Sequence, residues 1–107
     1  MASHAEFVEY VAEQMQQAGS IRSKKMFGEY GLYCDGVFFA VICDDQLFVK
    51  ITPQGEAAFP DLPKAPPYSG AKDNFLVEDV DDRDQLTRLV RITCEALMMQ
   101  PAKKRRK

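Results

Sequence analysis

Residues 25–51 read KMFGEYGLYCDGVFFAVICDDQLFVKI, and this stretch decides the fold. Apolar side chains recur here with a period of two, which is typical of β-strands. Asp35-Gly36 is a strong two-residue hairpin signal, and Asp44-Asp45 is a weaker one. The pattern therefore predicts a three-stranded antiparallel meander, with strands at Met26–Cys34, Val37–Cys43 and Gln46–Ile51.

Two-residue turns determine which side chains face one another across the meander. On one side we expect Leu32 opposite Phe39, and Val41 between Tyr30 and Phe48. The other side would pair Ile42 with Leu47, Ala40 with Val49, and Phe38 with Ile51. Both faces are then apolar, whereas an antiparallel sheet usually leaves one face to water. Each face of this sheet therefore needs a cover.

The flanking sequence predicts a helix on either side of the meander. Ser3 and Glu6 form a capping-box pattern, so a first helix should run from about Ala5 to Ala18. Thr52-Pro53 predicts a short helix through Glu56 to Phe59, because threonine is a good N-cap and proline fits the first helical position.

The C-terminal third predicts one more strand and one more helix. Asn74–Val80 is strand-like, and we expect it to pair with an extended piece near Tyr68. Asp81 or Asp82 should cap the last helix, which Pro101 should end. Its apolar stripe comprises Leu86, Leu89, Val90, Cys94, Leu97 and Met98. The predicted class is α+β: an antiparallel sheet with a central three-stranded meander, N-terminal and C-terminal helices and one short helix.

Length and charge favour a single domain with a basic tail. The chain has 107 residues and a net charge of −2, and we expect residues 1–102 to form one domain. The disordered tail predicted after it holds five of the fourteen basic residues: Lys103, Lys104, Arg105, Arg106 and Lys107. A body this acidic is not typical of a domain that lays a wide basic face on nucleic acid.

The residue types that usually carry catalysis or bind metal are scarce. His4 is the only histidine, and its place in the first helical turn predicts a solvated side chain. Cys34, Cys43 and Cys94 show no C-x-x-C spacing, so we expect buried, reduced thiols with neither a disulfide nor zinc. We predict no catalytic residue, cofactor or metal. The absence of a long apolar run favours a soluble cytoplasmic protein that does not enter the membrane.

Glycines at 28 and 31 fall inside the first predicted strand. They mimic half of a dinucleotide motif, but no helix follows to hold a phosphate. Glycine within a strand more often marks a bulge, or a place where another backbone or a large ring comes close. The candidate rings here are Tyr30, Tyr33, Phe27 and Phe38.

The stretch Lys24–Tyr33 and the positions that follow it resemble the N-terminal domain of TfoX/Sxy, bacterial regulators of competence for DNA uptake. The motif residues are Lys25, Met26, Phe27, Gly28, Tyr30, Gly31, Leu32, Tyr33, Gly36 and Lys50. The resemblance implies an α+β fold like that of secretion chaperones and carries no established catalytic residues. The family's coactivator role with the cyclic-AMP receptor protein belongs to longer, two-domain members.

Three functions are compatible with these features. The first is a regulatory protein-interaction module that binds a partner, such as a transcription regulator or a second copy of the chain, through Tyr30, Leu32, Phe39, Val41 and Phe48. The second is a DNA-associated regulator that uses Arg22, Lys24, Lys25, Lys50 and the tail. The third, an enzyme with a cleft near Tyr30, Tyr33 and Lys50, has no supporting set of reactive groups.

Overall fold

The computed structural model describes residues 3–26 and 28–99 and confirms the predicted α+β class. A 3₁₀ turn, Gln16–Ala18, follows the first helix. In chain order the elements are α1 (Ala5–Gln14), β1 (Ile21–Met26), β2 (Glu29–Cys34), β3 (Val37–Cys43), β4 (Gln46–Val49), α2 (Pro53–Ala58), β5 (Lys64–Ala65), β6 (Asn74–Val77) and α3 (Arg83–Met98). The predicted order of helix, strands, helix, strands and helix is correct.

The six strands form one antiparallel sheet in the order β1-β2-β3-β4-β6-β5. The meander has four strands and not three, because β1 (Ile21–Met26), which was not predicted, pairs with β2, and the predicted strand Met26–Cys34 begins only at Glu29. Gly28 has a φ of +81°, a conformation that suits a turn and not a strand. The expectation that Gly28 lies inside a strand is therefore wrong. The partner of β6 was also misplaced, since β5 lies at Lys64–Ala65 and not near Tyr68.

Both predicted two-residue turns are confirmed. Asp35 and Gly36 have φ values of 51° and 87°, and Asp44 and Asp45 have values of 54° and 57°. Two consecutive residues with positive φ match the twist of tightly connected antiparallel strands. The register predicted between β3 and β4 is correct for Ala40–Val49, Val41–Phe48 and Ile42–Leu47. Phe38 and Ile51 do not pair, because β4 ends at Val49.

A bulge between β2 and β3 changes the predicted register. Phe39 is an extra residue on β3, because the observed partners are Tyr33–Phe38, Leu32–Ala40, Gly31–Val41 and Tyr30–Ile42. The predicted pairs Leu32–Phe39 and Tyr30–Val41 are therefore wrong. A one-residue shift exchanges the faces of a strand, so Tyr30 and Leu32 lie on the opposite side of the sheet from Val41.

One face of the sheet, which we call the helix face, packs against α1 and α3. Its side chains Leu32, Ile42, Leu47, Val49 and Phe75 form a single core with residues of both helices. The α3 stripe is confirmed at Leu86, Leu89, Val90 and Cys94. Met98 is half-exposed, and Thr93 and Ala96 are buried in its place. The core therefore lies entirely between this face and the two long helices.

The helix caps match the predictions at two ends out of three. The side chains of Thr52 and Asp82 accept hydrogen bonds from the backbone N–H groups of Gly55 and Gln85, so both predicted caps are confirmed. The capping box at Ser3 is wrong. His4, not Ser3, is the N-cap of α1, and its side chain makes no capping hydrogen bond. The Ser3 hydroxyl instead accepts a hydrogen bond from the backbone N–H of Asp45.

Candidate functional site

The second face of the sheet, which we call the open face, carries Gly31, Tyr33, Phe38, Val41 and Phe48. The register places these residues on the side opposite the helix face. Tyr33, Phe38 and Val41 are half-buried. The chain between β5 and β6 crosses this side and leaves a groove of about 860 Å³, whose lining includes Met26, Phe38, Val41, Lys50, Tyr68 and Lys72.

Gly31 lies beneath the side chains that form one end of the groove. A β-carbon at this position would lie 2.8 Å from the Met26 methyl carbon and 2.9 Å from Cε1 of Phe38. Both distances are shorter than normal contacts, so a methyl group fits here only if the Met26 or Phe38 side chain shifts. This confirms the prediction that Gly31 marks the approach of a large ring, and it identifies Phe38 as that ring.

Phe38 is at the centre of a small aromatic and basic cluster. Its ring centroid lies 5.3 Å from that of Tyr33, with a 43° angle between the two planes. The ammonium of Lys50 lies 4.5 Å from the Phe38 centroid, a distance at which a cation is attracted to an aromatic ring. Burial lowers the pKa of Lys50, because removal from water disfavours the charged form.

Hydrogen bonds among five polar residues tie the far end of the groove to the start of α1. Glu29 accepts hydrogen bonds of 2.9 Å from the backbone N–H groups of Ser3 and Asp44, and Ser3 Oγ accepts one from the Asp45 N–H. Asp45 in turn accepts from the His4 N–H. Burial acts to raise the pKa of Glu29, but the hydrogen bonds from Ser3 and Asp44 outweigh it and lower that pKa. We call this set the clasp.

The five residues predicted to form one interaction surface do not lie together on an accessible face. Leu32 and Phe39 are fully buried in the core, and Phe48 is 3% exposed. Tyr30 is half-buried and packs against the core from the helix face. Val41 is half-buried as well, but it lies on the open face. The surface as predicted is therefore wrong, because the bulge at Phe39 exchanges the faces of the residues before it.

The family-like motif is brought together in part. Met26, Gly31, Tyr33 and Lys50 surround Phe38 at one end of the groove. The other motif residues lie elsewhere: Leu32 is in the core, Lys25 is exposed on β1, and Gly36 is in the hairpin turn. Phe27 and the predicted polyanion contacts Lys103–Lys107 lie outside the described residues.

The predicted interaction surface does not include Phe38, although Phe38 is among the candidate rings near Gly31. The expected pairing with Ile51 places it on the opposite side of the sheet from Val41. The only signal available was the Phe38-Phe39 doublet, since two adjacent large apolar residues break the alternation and are compatible with a bulge.

The remaining candidate residues have structural surroundings. All three cysteines are free and buried, and burial raises the pKa of each thiol, which makes these sulfurs poor nucleophiles. His4 is exposed, and its Nδ1 lies 2.6 Å from Asp45 Oδ2. Within residues 3–26 and 28–99, no cluster of three histidine, cysteine or acidic side chains is arranged to hold a metal ion. None of the helices described combines the length and the apolarity that crossing a membrane requires.

Comparison with known proteins shows which family this domain belongs to. The model of the TfoX N-terminal domain matches residues 13–97, which include all six strands and most of α3. The chain belongs to the TfoX N-terminal domain family. The matched region contains the whole Phe38 cluster.

A curated relative of this TfoX N-terminal domain comes from Spirochaeta aurantia. It is described as an uncharacterized 12.7 kDa protein in the trpE 5′ region. The two are 35% identical over 108 residues, which span 100% of this chain and 91% of the relative. The relative therefore aligns over the groove and the clasp as well as the core.

Proposed function

We propose that this domain is a cytoplasmic regulatory module that binds a protein partner through the open face of its sheet and catalyses no reaction. The observation that carries the proposal is that Tyr33, Phe38 and Val41 remain only half-buried on one side of the sheet, while both long helices pack on the other. Apolar surface that a domain leaves accessible in one place commonly serves to bind a partner. Three free thiols are typical of a reducing compartment.

The chemistry of the groove supports binding over catalysis. General acid–base catalysis requires a titrating group within hydrogen-bond reach of a reacting atom and usually a second group that orients it. Lys50 is half-buried, but no carboxylate of the described residues lies within ion-pair distance of it. The Cys43 thiol has a raised pKa because of burial. The groove thus offers a shaped apolar surface with two lysines in its lining, Lys50 and Lys72.

Family membership supports a transcription regulator as the partner class. The test is a pull-down in which the wild-type chain is compared with Val41→Lys, because a lysine at this half-exposed position places a charge in the middle of the open face. The control is Gln54→Lys, which adds the same charge at an exposed position of α2. Any protein retained is then purified and its affinity is measured by titration.

We expect the partner to be retained by the wild type and the control, and its affinity for Val41→Lys to fall at least about tenfold. Equal affinity for the two lysine variants would contradict the proposal. Sedimentation at about 100 μM tests a second copy as the partner. If the wild type is a dimer and Val41→Lys is a monomer, the open face serves for self-association.

A second candidate, binding of nucleic acid, is favoured by one observation. The register places Arg22 and Lys24 on the open face, opposite Tyr33 and Gly31, so basic groups border the Tyr33–Phe38 pair. Proteins that bind single strands combine basic grooves with aromatic rings on which bases stack.

Fluorescence anisotropy with a labelled single strand and a labelled duplex tests this candidate. Binding should weaken steeply with salt and should decrease in Lys24→Ala. Lys25→Ala is the matched control, because Lys25 is equally exposed but points to the other side of the sheet. Phosphate contacts are still strong at roughly 50 mM salt, so no binding under that condition would exclude the open face as a nucleic-acid surface. An equal loss of binding in Lys24→Ala and Lys25→Ala would exclude it as well.

A further inference from the structure

The groove on the open face has the size and lining of a small-molecule site. Ligand pockets commonly measure about 300–1,000 Å³ and combine apolar walls with a few polar groups, and this groove measures about 860 Å³. Phe38 and Val41 form part of its floor. Met26 contributes to one wall, and Pro67 and Tyr68 contribute to the other. Aromatic rings, a proline and a methionine suit the flat apolar body of a ligand.

Lys50 supplies a cation that the described protein does not neutralise. The ammonium lies over the Phe38 ring, and the ion pairs formed among the described residues are His4–Asp45 and Lys64–Glu56. A half-buried ammonium has lost part of its hydration and gains most from an anion that enters the same apolar surroundings. An anionic group is therefore the complement that this end of the groove lacks.

The groove is charged in opposite senses at its two ends. Lys50 lies beside Phe39, since its backbone N–H donates to the Phe39 carbonyl. Glu29 and Asp44 line the other end, next to Cys43. The four residue-to-residue steps from Phe39 to Cys43 span about 13 Å of strand. An anion is attracted at the Lys50 end and repelled at the acidic end, so the charge distribution fixes the direction in which an anionic ligand lies.

We propose that this groove binds a small aromatic carboxylate, with the carboxylate against Lys50 and the ring system lying over Val41 toward Cys43. The ligand site shares the open face with the proposed protein-binding function but does not require a protein partner. A ligand here would fill the space over Val41 and so regulate access to the same face.

Binding is tested on the 107-residue chain with 2-naphthoate as the probe and 2-naphthamide as its neutral counterpart of the same shape. Calorimetry gives the affinities, and amide NMR shifts locate the probe. We expect naphthoate to bind at least about tenfold more tightly than naphthamide. The largest NMR shifts should occur at Val41, Lys50 and Tyr68.

Lys50→Met should remove the preference for the carboxylate and leave the affinity for naphthamide within about twofold. Lys64→Met is the matched control, because Lys64 also lies near an aromatic ring, 5.9 Å from the Phe75 centroid, but is paired with Glu56. Lys72→Met tests the other lysine that lines the groove. Equal affinity for the two probes, shifts outside the groove, or loss of the preference in Lys72→Met but not in Lys50→Met would overturn the proposal.

A measurement on the wild-type chain keeps the test valid if Lys50→Met does not fold. The pKa of Lys50, followed by NMR of its side chain, should rise when naphthoate binds and stay unchanged with naphthamide, because only the carboxylate stabilises the ammonium. An unchanged pKa with bound naphthoate would contradict the proposal. None of these measurements involves a protein partner. Failure of the ligand proposal can therefore be distinguished from failure of the partner-binding proposal, which the Val41→Lys pull-down tests.

Discussion

Phe38 and Phe39 are neighbours on β3, yet Phe39 is fully buried in the core while Phe38 is half-exposed on the open face. The helix face is sealed by two amphipathic helices, and its apolar side chains contribute to folding. The open face is crossed by an irregular connection that leaves a groove, and its side chains are accessible to a ligand or partner. The helix face thus mainly supports folding and the open face is available for binding. Substitutions on the helix face should therefore reduce stability, whereas substitutions on the open face should mainly reduce binding.

The largest expected effect on stability comes from the helix face. Phe39→Ala should lower the free energy of unfolding by about 3–5 kcal/mol, because it removes a fully buried ring and leaves a cavity. Phe38→Ala should lower it by about 1 kcal/mol, since this ring is half-exposed. Urea denaturation followed by circular dichroism measures both. If both variants lose a similar free energy of unfolding, the two faces contribute equally to stability and the distinction between them is wrong.

The next largest effect concerns the clasp, which joins the edge of the sheet to α1. Glu29→Ala should lower the free energy of unfolding by about 1–2 kcal/mol at pH 7, because it leaves the N–H groups of Ser3 and Asp44 without their acceptor. Glu13→Ala is the control, since Glu13 is exposed on α1. Urea denaturation of both variants should show a loss only at Glu29.

The clasp also predicts a pH dependence. The pKa of Glu29 is lowered from 4.5 in the folded chain by hydrogen bonds from Ser3 and Asp44, which outweigh the effect of burial. Its contribution to stability is therefore present above about pH 4.5 and is lost as the pH falls through the lower, folded-state pKa. The difference between wild type and Glu29→Ala should shrink over that range, and a difference that grows on acidification would contradict the assignment.

A smaller effect on stability is expected at Gly31, which lies beneath the groove. Gly31→Ala should cost about 1 kcal/mol, because the new methyl group must displace the Met26 methyl and the Phe38 ring. Both neighbours are half-exposed and have room to move. The change should appear mainly as altered NMR shifts of the Phe38 ring and weaker binding of naphthoate. Unchanged shifts would show that the close approach is absent in solution.

The smallest effect concerns His4, which is exposed at the start of α1. Its hydrogen bond to Asp45, followed by the charge of that carboxylate, raises the pKa of the imidazole above 6.5. The interaction is thus complete below pH 6.5 and is lost as the pH rises through the raised pKa. An NMR titration should show this pKa fall in Asp45→Asn. An equal pKa in both chains would contradict the contact.

Local patterns predicted most of the secondary structure. The hairpins at Asp35-Gly36 and Asp44-Asp45, the caps at Thr52 and Asp82 and most of the α3 stripe depend on residues close in sequence. The capping box predicted at Ser3 is wrong because a residue distant in sequence binds the Ser3 hydroxyl. The Ser3 hydroxyl is bound by Asp45, 42 residues away, and a local pattern carries no information about such a contact.

The candidate site was predicted only in part. Gly31 was expected to lie under a ring, and Lys50 was included in the family-like motif. The accessible face was assigned wrongly at Leu32 and Phe39, because one bulge exchanged the two sides of β2 relative to β3. Phe48 lies on the same face as Val41, as expected, but is only 3% exposed. Period-two reasoning carries every residue after a bulge to the wrong face.

The amino-acid sequence by itself determined the α+β class, the order of the elements and the tight turns, because alternation, capping and positive-φ turns act over a few residues. Only the tertiary structure decided which face the helices cover, where β3 bulges and that Lys50 lies over Phe38. Those features depend on how strands and helices distant in sequence compete for the same apolar surface. Burial is a property of the assembled sheet, and no single segment specifies it.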